Sequence, residues 1–209
     1  MAYSKFNDFK KVQNSFGIDI RRASLFNASQ IQPIEPSAWL SEGMRRAQIQ
    51  GFDSEKERSE RIIAPILTEL IMINENELTI YSGHELNVDK ALGLNGECDY
   101  LLALGRKVVE LVQSPIFSVV EAKRQDMVWG AAQCAAQMVG ALRYNKLDGK
   151  EIPYVYGATT DGIKWQLMKL EDNILSIHSD LVLTDQMPNL LGILQFILED
   201  CKQFDAVKV

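Results

Sequence analysis

The chain has no run approaching the roughly 20 apolar residues needed to cross a bilayer, so no membrane association is expected. Its opening stretch, Met1 to Asp19, is polar and of mixed charge, without the apolar core of a signal peptide. It has only three cysteines, Cys98, Cys134 and Cys201, and they are far apart. This argues against a disulfide framework and a zinc site, and fits a reducing cytoplasm. His84 and His178 are isolated and lack metal-ligand spacing. A Gly-rich phosphate loop, a Ser-His-Asp set, a dinucleotide fingerprint, repeats and low-complexity tracts are all missing. Positive charge is scarce: 22 Lys and Arg against 28 Asp and Glu leave a net charge of −6. Broad non-specific nucleic-acid binding needs cations for phosphates, so it is disfavoured. A local basic surface is not excluded. Arg21-Arg22, Arg45-Arg46 and Lys123-Arg124 are its candidates, with plain solvation as the alternative for each pair.

What is present is ordinary for a globular protein: 46% hydrophobic and 24% charged residues in a chain of 209. That length suits one domain, or one domain with a small appendage. Residues 1–50 read as a helical appendage, with weak helical periodicity over Phe6 to Phe16 and a second helix from Glu35-Pro36-Ser37 to about Ile49. Residues 51–209 read as the core. Asp53-Ser54 can cap a helix to about Ile73, whose apolar stripe is Ile63, Ile66, Leu67, Leu70 and Ile71. Pro65 predicts a kink or local break within it. Strands are expected at Leu78 to Leu86, Glu97 to Leu104, Val108 to Val112 and Ile116 to Lys123. A helix rich in Ala, Gln and Met follows from about Met127 to Asn145. Then come a strand from Pro153 to Thr159, a two-residue turn at Asp161-Gly162, and strands at Lys164 to Leu170 and Ile174 to His178. A last helix spans roughly Pro188 to Phe204. The expected fold is α/β (α+β): a central mixed β-sheet flanked by helices, carrying the N-terminal helical appendage.

The strand Ile116 to Lys123 ends in Glu121-Ala122-Lys123. Side chains alternate along a strand, so a carboxylate and an ammonium two residues apart share a face, together with Phe117 and Val119. A strand running out of the core into water would look the same. Asp99 opens a neighbouring apolar strand. Glu60 precedes the helix stripe by three residues at Ile63 and seven at Leu67, which aims it at the sheet. Gln133, with Gln137 one turn later, is a polar residue in the Ala-rich helix. A surface amide is the alternative for Gln133. Together these residues describe a pocket of three carboxylates, a lysine and an amide. Trp129 and Trp165 read as core or rim aromatics.

The segments Gly96-Glu97-Cys98-Asp99-Tyr100 and Val119-Val120-Glu121-Ala122-Lys123, followed by Gln133, resemble the PD-(D/E)XK nuclease superfamily with its restriction-endonuclease-like fold. Tyr156-Gly157-Ala158-Thr159-Thr160-Asp161-Gly162-Ile163-Lys164-Trp165 resembles a hairpin found beside such cores, notably in the N-terminal nuclease domain of type I restriction subunits. Glu57-Arg58-Ser59-Glu60-Arg61, with Pro65 and Leu67, resembles their first core helix. The likeness spans about residues 53–170. It departs from the pattern at Cys98, where Pro often precedes the Asp, and at Gln137, where some members carry Tyr. The resemblance implies a Mg²⁺-dependent (or Mn²⁺-dependent) nuclease acting on DNA. Asp99 and Glu121 would be metal ligands and Glu60 an auxiliary ligand, with Glu57 as runner-up. Lys123 would orient or deprotonate the attacking water, and Gln133 would orient Lys123 or that water. No DNA-recognition domain is visible, so a homodimer or a partner subunit supplying specificity stays open. A catalytically silent binding or assembly module with the same fold is the alternative function.

Overall fold

A computed structural model describes residues 3–107, 111–123 and 126–204 of the chain. The sheet is mixed, in the order β1-β7-β6-β5-β4-β3-β2, with the two-residue β8 also pairing β6. The strands are β1 Asp19–Ala23, β2 Leu78–Glu85, β3 Glu97–Leu104, β4 Ile116–Ala122, β5 Tyr154–Thr160, β6 Lys164–Glu171, β7 Ile174–His178 and β8 Val182–Leu183. Two pairings are parallel, β4 with β5 and β1 with β7; the others are antiparallel. The helices are α1 Phe9–Phe16, α2 Ala38–Gln50, α3 Glu55–Arg58, α4 Ala64–Ile73, α5 Met127–Leu147 and α6 Met187–Lys202.

Alternating side chains divide the core into two layers. On one face, Tyr100, Leu102, Val120, Ala158 and Leu167 pack under α2, α4 and α6. On the other, Leu101, Ala103, Val119, Val155 and Met168 pack under α5 and the N-terminal segment. α5 presents Ala131, Ala132, Ala135 and Ala136 to the sheet, all buried, and these small side chains let its axis lie close to β4 and β5.

The helix expected from residue 54 to 73 is interrupted where Pro65 predicts. Ser54 caps α3 and exchanges hydrogen bonds with Glu57 in a capping box. The segment Ser59–Ile63 is π-helical, and the Ala64 N–H reaches back to the Ser59 carbonyl. Pro65 has no N–H for the carbonyl four residues earlier and its ring crowds that carbonyl, so the wider π turn is the accommodation. The Tyr100 hydroxyl bridges this turn to β3, 2.6 Å from Ser59 Oγ.

Several expectations change. Residues 1–50 are not purely helical: β1 lies in the sheet, and Tyr3, Phe6, Val12 and Ile18 belong to the α5-side core. The Tyr3 hydroxyl donates to the Leu86 carbonyl at 3.0 Å. Ser37 caps α2 and binds the buried Glu69 carboxylate of α4 through its N–H at 2.6 Å and its hydroxyl at 2.8 Å. The expected segment is thus woven into the fold. A bulge sits between the Leu102–Ser118 and Ala103–Ile116 pairings, so Phe117 packs on the α4 face while Val119 packs on the α5 face. The shared face counted for them by strict alternation is lost. The loop between β5 and β6 covers residues 161–163, one more than a two-residue turn. Asp161 Oδ1 accepts from the N–H groups of Ile163 and Lys164 at 2.9 and 2.8 Å, which stabilises that longer loop. Of the expected strand at Val108 to Val112, residues 108–110 lie outside the described residues, as does Arg124; Leu111 and Val112 are not strand. No helix among the described residues is long and apolar enough to cross a membrane.

Candidate active site

The site lies where β3 and β4 part. Their register runs to Tyr100–Val120 and stops, while β4 continues beside β5 through Glu121–Thr159 and Ala122–Thr160. The Lys123 N–H donates to the Thr160 carbonyl at 2.8 Å. The Ala122 N–H points toward β3, and its acceptor there is a side chain: Asp99 Oδ2, at 2.7 Å. Asp99 thus takes the place of a missing ladder carbonyl, which fixes its carboxylate at the end of β4.

Glu121 faces α5 and is 1% exposed. Its Oε1 is 2.9 Å from Lys123 Nζ, and its Oε2 accepts from Gln137 Nε2 at 2.8 Å. Burial pushes the Glu121 pKa up, with Asp99 adding to the rise and Lys123 and Gln137 opposing it; the result is about 7. Asp99 is also raised, first by burial, against the opposing pull of the Ala122 N–H and Lys123. For Lys123, burial acts downward, but Glu121, Glu55 and Asp99 outweigh it and the net shift is upward. Two carboxylates therefore sit where neither is comfortable as an anion, and the lysine between them keeps its proton.

Asp99 opens into a cleft of about 490 Å³ lined by Glu55, Ser59, Glu60, Gly83, Glu97 and Ala122, among others. Gly83, at φ 67°, belongs to that wall; only glycine takes this backbone cheaply within a strand. Glu60 lines the same cleft, but its carboxylate is at the surface, 3.8 Å from Lys56 Nζ. The π turn changes the angular relation between Glu60 and Ile63 that a regular helix would have, and Glu60 stands on the cleft wall with its carboxylate toward Lys56. The carboxylate of this helix that comes near the lysine is Glu55, 3.8 Å from Lys123 Nζ. Glu57 is engaged with Ser54 and with Arg61, 3.0 Å away.

The two glutamines also divide their roles. Both are buried, and the one that meets Glu121 is Gln137. Among the described residues Gln133 makes no hydrogen bond to Lys123 or Glu121; it lies one turn nearer the start of α5. The signal for Gln137 was present: two amides four apart in an alanine helix lie on one face, and both are packed against the sheet. The sequence by itself gives Gly130 and Thr159 no part in the site. A Cβ on Gly130 would lie 2.5 Å from both Lys123 Cγ and Thr159 Oγ1. The missing side chain is the space that the lysine stem occupies. Thr159 Oγ1 and Gln137 Oε1 are buried without a hydrogen-bond partner among the described residues.

Among the described residues no three His, Cys, Asp or Glu side chains stand together as a metal cluster. A pair of carboxylates remains, Asp99 and Glu121. Compared with known proteins, the chain matches no family model, no curated protein and no solved structure.

Proposed function

We propose that this protein is a nuclease of the restriction-endonuclease-like type, hydrolysing DNA phosphodiester bonds with Mg²⁺ or Mn²⁺ in restriction, another defence process or repair. One observation carries the reading: Asp99, Glu121 and Lys123 meet at one strand end, through the 2.7 Å Asp99–Ala122 and 2.9 Å Glu121–Lys123 contacts.

The donor set fits a hard divalent cation. Mg²⁺ commonly takes one or two protein carboxylates and completes its shell with water and substrate phosphate, so a third side-chain ligand is not required. Asp99 and Glu121 are all-oxygen donors, and each is raised by burial and by neighbouring negative charge, which a cation relieves. They would hold the ion, with Glu60 and Glu55 further out. When bound, the ion supplies a polarised phosphate and an acidified water. The protein's own groups do the rest. The Ala122 N–H orients Asp99. Gln137 holds Glu121. Lys123, protonated at neutral pH, would donate to a phosphate oxygen and stabilise the charge that builds on it. This favours the electrostatic role over proton abstraction from water.

A second reading is a catalytically silent nucleic-acid-binding or assembly module; the want of a three-residue metal cluster among the described residues favours it. One experiment separates the two. Plasmid and single-stranded DNA are incubated with the protein in Mg²⁺ or Mn²⁺, beside Asp99→Ala and Lys123→Ala. The nuclease reading expects cutting that falls by about 10²–10³ in either variant. Cutting that survives both substitutions sinks the residue assignment, and no cutting of any nucleic acid selects the silent module. Melting supplies an independent readout. Mg²⁺ at about 100 times its Kd adds about 3 kcal/mol. For a chain of this size that is a rise in Tm of roughly 5–10 °C, and Asp99→Ala removes it.

A further inference from the structure

On the α5 side of the sheet, beside the first turn of α5, lies a second recess. It is about 240 Å³ in volume, and its lining includes Arg22, Met127, Val128, Lys164, Gln166 and Leu181. Three of its features set it apart from the carboxylate cleft.

The first is charge. Arg22 on β1 and Lys164 at the start of β6 both line the recess and both are exposed. Among the described residues neither forms an ion pair. Arg22 Nη1 makes one long hydrogen bond, to the Ser179 carbonyl at 3.4 Å, and among the described residues its side chain makes no other. In a chain with a net charge of −6, two cations facing one recess without carboxylates are an exception to the general surplus of acid.

The second is exposed apolar surface. Val128 is 62% exposed and Leu181 48% exposed on the rim, and Trp129, in the same helical turn as Val128, is 40% exposed. Water-facing apolar and aromatic surface beside unpaired cations is the pairing that single-stranded nucleic acid uses: phosphates on the cations, unstacked base faces on the apolar groups. A duplex offers only stacked bases to such a surface.

The third is position. In register, Glu121 lies opposite Thr159 on β5, and Thr159 lies opposite Gln166 on β6. Gln166 is therefore two strand spacings from Glu121, roughly 10 Å at about 4.8 Å per spacing. Gly130, next to Trp129, is the residue against which the Lys123 stem packs. One strand end thus links the carboxylate pair to the recess.

We propose that this recess and the exposed first turn of α5 form a docking surface for a single-stranded DNA segment, with phosphates on Arg22 and Lys164 and a base against Val128 and Trp129. The proposal deepens the nuclease reading and rests on it, since it assigns that site an unpaired strand as substrate.

The test is binding, measured apart from cutting. A fluorescein-labelled oligothymidylate and a blunt hairpin duplex with the same number of phosphates are titrated by fluorescence anisotropy in EDTA. The wild type is compared with Arg22→Glu, Lys164→Glu, Lys164→Gln and Trp129→Phe, each checked for an unchanged melt. The expected result is at least tenfold tighter binding of the single strand. Each charge reversal weakens it about tenfold, and Lys164→Gln lowers the salt slope by about one. Oligothymidylate quenches tryptophan fluorescence in the wild type and not in Trp129→Phe. Equal binding of duplex, indifference to Arg22 and Lys164, or no binding overturns the surface. The two readings fail separately. Cutting by the wild type with no effect of Arg22 or Lys164 on binding sinks the surface alone. Strand binding that depends on both cations, without cutting in any divalent ion, sinks the nuclease and keeps the surface.

Discussion

Glu121 is a carboxylate held almost out of reach of water, and its partners do not fully compensate. Lys123 and Gln137 each take one oxygen, yet burial and Asp99 still raise the group to about 7. A carboxyl whose folded pKa lies above its unfolded value binds more protons in the folded state between the two values. Stability in EDTA should therefore fall as pH rises from the ordinary carboxylate range to about 7, and level off above it. The slope is at most about 1.4 kcal/mol per pH unit for one group. Urea melts at several pH values check this; Glu121→Gln should flatten that decline, and a wild-type curve flat across the same range would contradict it. Gly130 makes a second residue-scale prediction. In an exposed helix interior, Gly→Ala stabilises by about 1 kcal/mol. Here the new methyl meets Lys123 Cγ and Thr159 Oγ1 at 2.5 Å. Overpacking typically costs about 1–3 kcal/mol, so Gly130→Ala should lower Tm rather than raise it. It should also reduce any activity that needs Lys123 in place.

At the scale of elements, α5 is the part that builds the site. It is clamped to β4 at two points, its middle and its C-terminal end. Near the site Gln137 binds Glu121. At the far end the buried Asn145 accepts from the Ile116 N–H at 2.7 Å and donates to the Ile116 carbonyl at 2.8 Å. Asn145→Ala leaves both backbone groups buried and unpaired, at about 1–3 kcal/mol each. A drop in unfolding free energy of about 2–4 kcal/mol in denaturant melts is the expected outcome, and Asn145→Asp, which sets a buried carboxylate against the Ile116 carbonyl, should cost at least as much. The helix from residue 55 to 73 shows how far periodicity carries. Its stripe Ile63, Ile66, Leu67 and Leu70 is in the core as spacing implies. Pro65 marks its break. Both acids line the cleft, and beside the π turn they take different partners: Glu55 approaches Lys123, and Glu60 turns to Lys56.

For the whole molecule, the N-terminal fifty residues are part of the body of the protein. They supply β1 at the sheet edge, α1 and Tyr3 to the α5-side core, and α2 to the opposite layer. A chain cut back to residues 51–209 would expose the surface under Tyr3, Phe6 and Val12, and would lose the Ser37 partner of Glu69. It should lack a cooperative thermal transition; a sharp melt near that of the full chain would show that residues 51–209 fold without the first fifty.

The positions of β2 to β7, the long alanine helix, the capped helix and its break at Pro65 follow from local rules. Alternation, caps and a missing N–H act between near neighbours, so the amino-acid order alone settles them. Proximity in sequence also suffices for Glu121 and Lys123 to share a neighbourhood. The rest belongs to the tertiary structure. Whether Asp99 reaches β4 depends on two strands parting. Whether Gln133 or Gln137 meets Glu121 depends on how closely an alanine face lies on the sheet. Glu55 and Glu60 take different partners beside a π turn, and β1 is a strand because β7 offers it an edge. These are contacts between segments distant in the chain, set by packing, and no local period records them.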